Sequence, residues 1–164
     1  MQYDPVKRQL GAVFDRTPFL RKTFYQLLDL LLLRCWHVQR ELRSWIRQRI
    51  SDGQAVAAIY DAGAGFGQYT YWLSGELPQA RITAIDVKDE QVADCNRFFQ
   101  RIGRPQVRFE TGDVTKFQRP NTFDLVVCVD VMEHILEDEA ALRCYSTSLK
   151  EGGMLIISTP SDQG

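Results

Sequence analysis

The sequence predicts an α/β protein whose doubly wound, mostly parallel sheet has about five strands and follows N-terminal helices. Two observations predict this fold. From about residue 53 onward, short apolar runs alternate with segments of helical periodicity, as expected for strands joined by helical crossovers. The first apolar run also leads directly into a glycine-rich loop that a helix follows, which is the arrangement of a nucleotide-type site in an open α/β sheet.

Composition narrows the class of protein. The 164 residues are enough for one sizeable core, and 45% of them are hydrophobic, as is usual for a globular chain. The 20 basic and 21 acidic residues give a formal net charge of −1. We therefore expect no nucleic-acid partner of the kind that a global positive field attracts.

Residues 1–52 are predicted to form an N-terminal helical segment. Pro18 suits the first turn of a helix, and Ser51-Asp52-Gly53 is a break signal. Between them, apolar side chains recur at helical spacing and keep one face apolar. These positions include Phe19, Phe24, Leu27, Leu28, Leu31, Leu32, Cys35, Trp36, Val38, Leu42, Trp45, Ile46 and Ile50. One long helix or two shorter ones both fit this pattern.

The role of this segment is open between three alternatives. Its apolar face packs against the rest of the chain, covers a binding site as a lid, or faces lipid, and plain packing is the favoured interpretation. The segment also carries the basic side chains Arg21, Lys22, Arg34, Arg40, Arg43, Arg47 and Arg49. Because a basic amphipathic helix can lie on an anionic membrane, peripheral membrane contact is an alternative.

Residues 53–164 are predicted to be one domain of alternating strands and helices. Apolar runs predict strands at 55–60, 81–85, 106–110, 123–129 and 154–158. Helical spacing predicts helices at 68–74, 89–102 and 138–149, and Gly152-Gly153 predicts a turn before the fifth strand.

Cysteine usage indicates a reducing compartment. The four cysteines form no C-x-x-C pair and only two histidines accompany them, so no metal site is predicted. The N-terminus is polar and charged, unlike a secretory signal. The most apolar stretch, Leu27 to Leu33, is far shorter than the ~20 residues of a membrane span. We therefore expect a cytoplasmic protein.

The loop from Asp61 to Gly67 is the main candidate for a binding site. Its glycines, Gly63, Gly65 and Gly67, allow positive φ and the close approach of a ligand. A dinucleotide fingerprint is G-x-G-x-x-G, whereas here the third glycine comes one residue early. The loop begins with Asp61, and a carboxylate suits an ammonium group better than a pyrophosphate. The alternative is a tight glycine turn that binds nothing.

Acidic residues follow the next two predicted strands. Asp86 ends the second strand, where a carboxylate can accept hydrogen bonds from both hydroxyls of a ribose. Gly112-Asp113 follows the third strand, and the Asp113 carboxylate could accept from the exocyclic amine of adenine. The alternatives are a helix N-cap or surface role for Asp86 and an ordinary Gly-Asp turn for Asp113.

The fourth strand leads into Asp130-Val131-Met132-Glu133-His134, at the edge of the sheet where ligands bind in open α/β proteins. Asp130 is a candidate for the cofactor contact, the substrate pocket or a helix cap. His134 is a candidate general base because its unperturbed pKa is close to neutral, although a histidine beside an acid is more often structural. Glu133 is a candidate for the same role.

The strings AIYDAGAGFGQYT, AIDVKDE, GDVTKF, FDLVVCVDVMEHI and LKEGGMLIISTP together resemble the ordered motif set of class I S-adenosylmethionine-dependent methyltransferases. The resemblance extends from about residue 55 to residue 160, and VMEHI is similar to small-molecule methyltransferases, including those that act on quinone precursors. It implies a Rossmann-like domain, S-adenosylmethionine as cofactor and a small-molecule methyl acceptor. The family fold usually has seven strands, the last two forming a hairpin that this chain lacks, so a fragment or a shortened sheet is expected.

The resemblance also implies roles for individual residues. Asp61, Ala62 and the backbone at Gly63, Gly65 and Gly67 would hold the methionine part, with the ammonium group near Asp61. Asp86 would bind the ribose, Val87 would pack on the adenine, and Asp113 with Val114 would recognise its edge. Asp130 would face the cofactor from the fourth strand. Tyr69 and Tyr3 are aromatic candidates for the pocket.

The sequence is also compatible with two other functions. One is a cofactor-binding module or fragment without transfer activity, and the other is an NAD-type oxidoreductase, which the glycine spacing and Asp61 disfavour. In a methyltransferase the sulfonium methyl is already electrophilic, so alignment of the reactants is the largest task of the protein, and a base is needed only if the acceptor must lose a proton.

Overall fold

The computed structural model describes residues 18–31 and 33–160. The chain divides into two compact units, residues 1–55 and residues 56–164.

The described residues of the N-terminal unit form two helices, α1 (Pro18–Leu31) and α2 (Leu33–Ser51), which is one of the two arrangements that the sequence pattern allows. Gln39 of α2 donates a 3.0 Å hydrogen bond to Asp29 Oδ1 of α1. The buried side chains of α2 follow one another at spacings of three, one, three and four residues, which places them on one side of the helix. They are Cys35, Val38, Gln39, Leu42 and Ile46. No helix in residues 18–31 and 33–160 is long and apolar enough to span a membrane.

The apolar stripe predicted across these helices is only partly buried. Leu27 is 45% exposed and Trp36 is 53% exposed, whereas Tyr25 is fully buried. Leu32 and the side chain of Leu31 lie outside the described residues. The basic residue Arg21 is buried and donates to the Tyr25 hydroxyl over 2.8 Å, because burial of a guanidinium requires a polar partner.

Residues 56–160, the described part of the second unit, contain a sheet of five parallel strands in the order β3-β2-β1-β4-β5. This sheet confirms the predicted fold class. The strands are β1 (Ala58–Ala62), β2 (Arg81–Asp86), β3 (Val107–Thr111), β4 (Phe123–Val129) and β5 (Leu149–Ser158). The helices are α3 (Gln68–Glu76), α4 (Asp89–Arg101) and α5 (Asp138–Ser148), with a 3-10 turn at Met132–His134.

Helices cover both faces of the sheet, as the alternation of side chains along β1 shows. Tyr60 packs on one face against Tyr145 of α5, with ring centroids 5.9 Å apart. Its neighbour Asp61 points to the other face, where it accepts a hydrogen bond from Thr70 of α3. β1 is buried along its whole length, since it lies in the centre of a sheet that is covered twice.

Two strands, β1 and β5, have a boundary that differs from the sequence prediction by more than one residue. β1 begins later and includes Asp61 and Ala62, because these two residues still pair with both neighbouring strands. β5 begins at Leu149 and continues through the predicted turn, and its pairing with β4 shifts register between Phe123 and Leu125. Gly152 has a φ of 71° at this irregularity, so a single glycine accommodates the shift without ending the strand.

The amino-terminal edge of the sheet is held by a buried carboxylate. Asp124 Oδ2 accepts from the backbone N–H groups of Ala57 and Ala58, at 2.8 and 2.9 Å, and Oδ1 accepts from Lys150 Nζ at 2.9 Å. Burial acts to raise the pKa of Asp124, but these three donors together hold that pKa below its ordinary value. The arrangement joins the starts of β1, β4 and β5.

Candidate cofactor site

The predicted site residues lie along the carboxyl edge of the sheet. The strand order places Asp113 after β3, Asp86 at the end of β2, the glycine loop after β1 and Asp130 after β4, side by side in that sequence. Since neighbouring strands are ~4.8 Å apart, four strand ends span roughly 14 Å. This is the edge at which open α/β sheets bind ligands.

All three loop glycines have positive φ, at 69°, 53° and 79° for Gly63, Gly65 and Gly67. A methyl group added at Gly63 would overlap the Val131 side chain, and one added at Gly67 would lie 2.8 Å from Phe109 Cζ. At Gly65 the nearest atom would be the Gly63 carbonyl oxygen, 4.0 Å away. Gly65 is therefore the loop glycine whose missing side chain leaves open space, as a ligand that approaches the backbone requires.

Asp86 ties the glycine loop to the end of β2. Its Oδ2 accepts from the Gly65 N–H at 2.9 Å, and its Oδ1 accepts from the Lys88 N–H at 3.0 Å. Each carboxylate oxygen can accept a second hydrogen bond, so capacity remains for the two hydroxyls of a ribose. The next residue, Val87, is apolar and yet 62% exposed, which suits contact with a flat aromatic ligand.

Asp61 is a buried carboxylate at the start of the loop. Only 3% of it is exposed, and Thr70 Oγ1 donates to its Oδ2. Burial raises the pKa of Asp61 to about 6, an effect that the Thr70 hydrogen bonds reduce and the nearby Asp86 increases. No cationic side chain in the described part of the chain pairs with it. A buried carboxylate of this kind attracts a cationic ligand group.

Asp113 forms a tight turn after β3. Its Oδ1 accepts from both the N–H and the hydroxyl of Thr115, at 2.9 and 2.7 Å, and these bonds hold the pKa of Asp113 below its ordinary value. Lys116 Nζ lies 3.5 Å from the other oxygen, Oδ2. The adjacent Val114 is buried, so its side chain serves the core and its backbone forms the edge of the site.

The residues after β4 occupy a strained turn. Asp130 has a φ of 56°, uncommon for a residue other than glycine, and its N–H donates to the Ser158 carbonyl at 2.9 Å. Glu133 and His134 are exposed on the 3-10 turn that follows. Glu133 Oε2 accepts from Thr159 Oγ1 at 3.0 Å, whereas no side chain among residues 18–31 and 33–160 forms a hydrogen bond with the His134 side chain. Their catalytic role stays a prediction.

Three residues that support the loop were not found by sequence reasoning. Thr70 fills the need of the buried Asp61 for a donor, Val131 packs against Gly63, and the Cys95 thiol lies 3.6 Å from the Gly65 carbonyl oxygen, to which it donates. Thr70 had a usable signal, because a hydroxyl in the first turn after the loop is within reach of the strand end. Val131 and Cys95 had none, since both contacts depend on how distant segments pack.

The remaining candidates have simpler positions. Ala62 is a buried residue at the end of β1, where it pairs with Ile85 and Cys128. Tyr69 lies in the first turn of α3 and is half-buried. Tyr3 lies outside the described residues. The structure thus joins two of the predicted residues, Gly65 and Asp86, by a hydrogen bond, and Asp61 at the start of the same loop is near enough to Asp86 for their charges to interact.

Comparison with known proteins points to one family. A family model described as a methyltransferase domain matches residues 59–153. The human protein named mitochondrial ubiquinone biosynthesis O-methyltransferase is 33% identical over 105 residues, which are 62% of this chain and 28% of that protein. The family model extends from β1 into the first half of β5 and therefore includes the carboxyl ends of β1 to β4.

Two solved structures show the likeness in three dimensions. The structure of the [4+2]-cyclase SpnF has a TM-score of 0.59 at 27% identity, over 63% of this chain and 38% of that one. Coclaurine N-methyltransferase, solved with N-methylheliamine and SAH, has a TM-score of 0.61 at 20% identity, over 84% of this chain and 35% of that one. At that identity the second match shows the fold alone.

The chain spans between 26% and 49% of the length of the curated relatives that it matches. The family model nevertheless covers more than half of the chain and includes the loop and the acidic strand ends. S-adenosylmethionine is confirmed as cofactor at the level of the family. The chain belongs to the methyltransferase-domain family, which confirms its resemblance to class I S-adenosylmethionine-dependent methyltransferases.

Proposed function

We propose that this protein binds S-adenosylmethionine and transfers its methyl group to a small-molecule acceptor. The observation that carries the proposal is the group formed by Asp61, Gly65 and Asp86. It combines a buried carboxylate without a cationic partner in the described chain, an open backbone position and a second carboxylate with spare acceptor capacity. The buried carboxylate matches an ammonium group, and the second carboxylate matches a ribose. The open position at Gly65 matches a ligand that comes close to the protein backbone.

Each part of the ligand has a proposed counterpart. Asp61 and the backbone at Gly63, Gly65 and Gly67 hold the methionine part, while Asp86 accepts from the ribose hydroxyls. The exposed Val87 packs on the adenine, and Asp113 with Val114 lines its edge. Asp130 faces the ligand from the end of β4. The physical basis is complementarity of charge, hydrogen-bond capacity and shape at one edge of the sheet.

S-adenosylmethionine supplies an electrophilic methyl group when bound. The chain then has to position the acceptor and, where the acceptor carries a proton, remove it. Glu133 and His134 lie on an exposed turn directly after β4 and are the proposed groups for that proton. Which acceptor atom reacts is a separate question, because the names of the relatives include both O- and N-methyltransferases.

Binding is tested first, by titration calorimetry of the chain with S-adenosylmethionine and with NAD. We expect saturable binding of S-adenosylmethionine alone, weakened by Asp86→Ala. The matched control is Asp89→Asn, which removes an exposed carboxylate three residues further along. Binding of NAD instead would favour an oxidoreductase, and an equal effect of both substitutions would remove Asp86 from the proposed site.

Transfer is tested separately, by mass spectrometry of phenol and amine acceptors incubated with the chain and S-adenosylmethionine. The second candidate function is a cofactor-binding module without transfer, which the similarity to a protein named as a [4+2]-cyclase favours. A methylated product that His134→Ala or Glu133→Gln diminishes supports the first function. Tight binding with no product from any acceptor supports the second.

We also propose that the protein works in a reducing compartment such as the cytoplasm. Its four cysteines are buried free thiols, and oxidising compartments favour disulfides. Cell fractionation with an antibody against the chain tests this proposal, and recovery in a secreted fraction would contradict it.

A further inference from the structure

The exposed side of α2 carries a stripe of apolar and basic side chains that the proposed reaction does not use. Its members follow one another at alternating spacings of three and four residues, which keeps them on one side of a helix. They are Leu33, Trp36, Arg40, Arg43, Arg47 and Ile50. We call this set the α2 stripe. At 1.5 Å per residue it extends over ~25 Å.

The stripe has apolar ends and a basic centre. Leu33 is 79% exposed, Trp36 is 53% exposed and Ile50, at the other end, is 59% exposed. Arg40 and Arg47 between them are also exposed, and Arg43 is half-buried. Large apolar side chains in this number on one exposed helix face indicate a contact surface.

The side chains of Trp36 and Arg40 contact each other on the exposed surface of α2. The Arg40 guanidinium lies 5.2 Å from the centre of the Trp36 ring, so an aromatic ring and a cation share one position on the surface. Tryptophan and arginine side chains of this kind lie at the boundary between lipid headgroups and acyl chains. Cys35, Val38, Leu42 and Ile46 are buried on a different side of α2, so the stripe lies outside the buried face of the helix.

We propose that the α2 stripe docks the protein on an anionic membrane surface. The helix has five arginines and one glutamate, although the whole chain has a net charge of −1, so its charge is concentrated and complementary to lipid phosphates. A straight row of basic side chains with apolar ends matches a flat layer of phosphates over acyl chains. A nucleic acid would match the arginines but leave Leu33 and Ile50 exposed.

Glu41 is the one acidic side chain of α2, and its substitution is expected to change membrane binding in the direction opposite to that of the arginine substitutions. It pairs with Arg40 at 2.8 Å, and both side chains are more than half exposed. Exposed pairs of this kind are weak, so Arg40 can turn to a lipid phosphate. Glu41→Gln removes a negative charge next to the stripe and should strengthen binding to anionic lipid.

The experiment is co-sedimentation of the chain with vesicles of phosphatidylcholine alone and with vesicles that also contain phosphatidylglycerol. We expect binding to the anionic vesicles only, and its loss at high salt. Arg40→Gln combined with Arg47→Gln should weaken binding roughly 10- to 30-fold, since each basic side chain contributes about 1 kcal/mol at such a surface. Glu41→Gln should strengthen it.

The matched control is Arg97→Gln combined with Arg143→Gln, which removes the same charge from exposed positions on α4 and α5. Circular dichroism shows whether each variant keeps its helices. A blue shift of tryptophan fluorescence on anionic vesicles that Trp36→Phe abolishes would place this ring in the lipid. The proposal would be overturned if the Arg40/Arg47 variant and the Arg97/Arg143 variant weakened binding equally, or if the chain bound both vesicle types equally. It would also be overturned if the chain self-associated or bound RNA but did not bind vesicles.

Discussion

The backbone N–H of Gly65 donates a 2.9 Å hydrogen bond to Asp86 Oδ2, which joins the middle of the glycine loop to the end of the neighbouring strand. The same carboxylate accepts from Lys88 N–H through its other oxygen. Asp86 therefore has two tasks, since it shapes the loop and remains able to accept hydrogen bonds from a ligand.

Asp86→Ala should weaken S-adenosylmethionine binding more than Asp86→Asn does. The alanine variant loses both the loop contact and the ribose acceptor, whereas asparagine keeps one acceptor oxygen for Gly65. Hydrogen bonds to a charged group contribute about 1.5–3 kcal/mol, so we expect losses of roughly 10- to 100-fold for asparagine and more for alanine. Calorimetry measures the affinity of both variants for S-adenosylmethionine. Equal affinities would contradict the interpretation that Asp86 both shapes the loop and binds the ribose.

Gly65→Ala and Gly63→Ala should separate binding from stability. At Gly65 a methyl group meets no atom closer than 4.0 Å, so the cost is that of a positive φ, about 1–2 kcal/mol. The cofactor, however, loses its close approach, and affinity should fall strongly. At Gly63 the methyl group overlaps Val131, so the free energy of unfolding should fall further.

The control for the second glycine is the double variant Gly63→Ala with Val131→Ala, which removes the overlapping side chain. Urea unfolding should show that the double variant regains part of the stability that Gly63→Ala loses. No recovery would mean that backbone strain, rather than the clash with Val131, causes the loss.

Asp61→Asn should stabilise the unliganded protein. The pKa of Asp61 is about 6 in the folded chain, above the ordinary carboxyl value. The ionised group therefore opposes folding, increasingly as pH rises from about 4 to about 6 and fully above that. The gain at neutral pH is at most about 3 kcal/mol, less the cost of burying the amide N–H groups. Thermal unfolding at pH 4 and pH 7 should show a gain only at the higher pH.

S-adenosylmethionine affinity should depend on pH through the same residue. An ammonium group needs the ionised Asp61, so the affinity should fall by up to tenfold for each pH unit below about 6. Asp61→Asn should bind weakly and lack this dependence. Calorimetry between pH 5 and pH 8 measures the affinity of the native chain and of Asp61→Asn. The same pH profile in both would exclude Asp61 from the ammonium contact.

Lys150→Met should destabilise the fold without affecting the cofactor site. It leaves the buried Asp124 carboxylate without its cation at the amino edge of the sheet, opposite the glycine loop. We expect a loss of roughly 1–3 kcal/mol, because Lys150 is itself about one third exposed. S-adenosylmethionine affinity should change less than twofold.

Acid should also remove the contribution of the Asp124 carboxylate to the stability of the native protein. Because the pKa of Asp124 is lowered in the folded chain, its contribution to stability is present at neutral pH and is lost as pH falls through and below the ordinary carboxyl range. Arg143→Gln is the control, since it breaks an exposed pair with Glu139 and should change stability by less than about 1 kcal/mol. Equal effects of Lys150→Met and Arg143→Gln on urea unfolding would contradict the buried-pair interpretation.

Local sequence pattern predicted the elements where burial leaves a one-dimensional signal. The run Phe123–Val129 is apolar because β4 is central and covered on both faces, and its predicted bounds match the structure. β5 was predicted to begin at residue 154, because Gly152-Gly153 is a turn signal in sequence. Pairing with β4 overrode that signal, since hydrogen bonds on both sides of the irregularity keep Leu149 in the strand.

The fold class, the glycine loop and the acidic residues at the strand ends could be predicted from the sequence, because strand and helix periodicity and glycine spacing are local properties of the chain. Contacts between segments that are far apart in the sequence became visible in the folded protein. Examples are the Asp86 contact with Gly65 and the Val131 contact with Gly63. Such contacts depend on packing across the sheet, and no spacing within one segment encodes them.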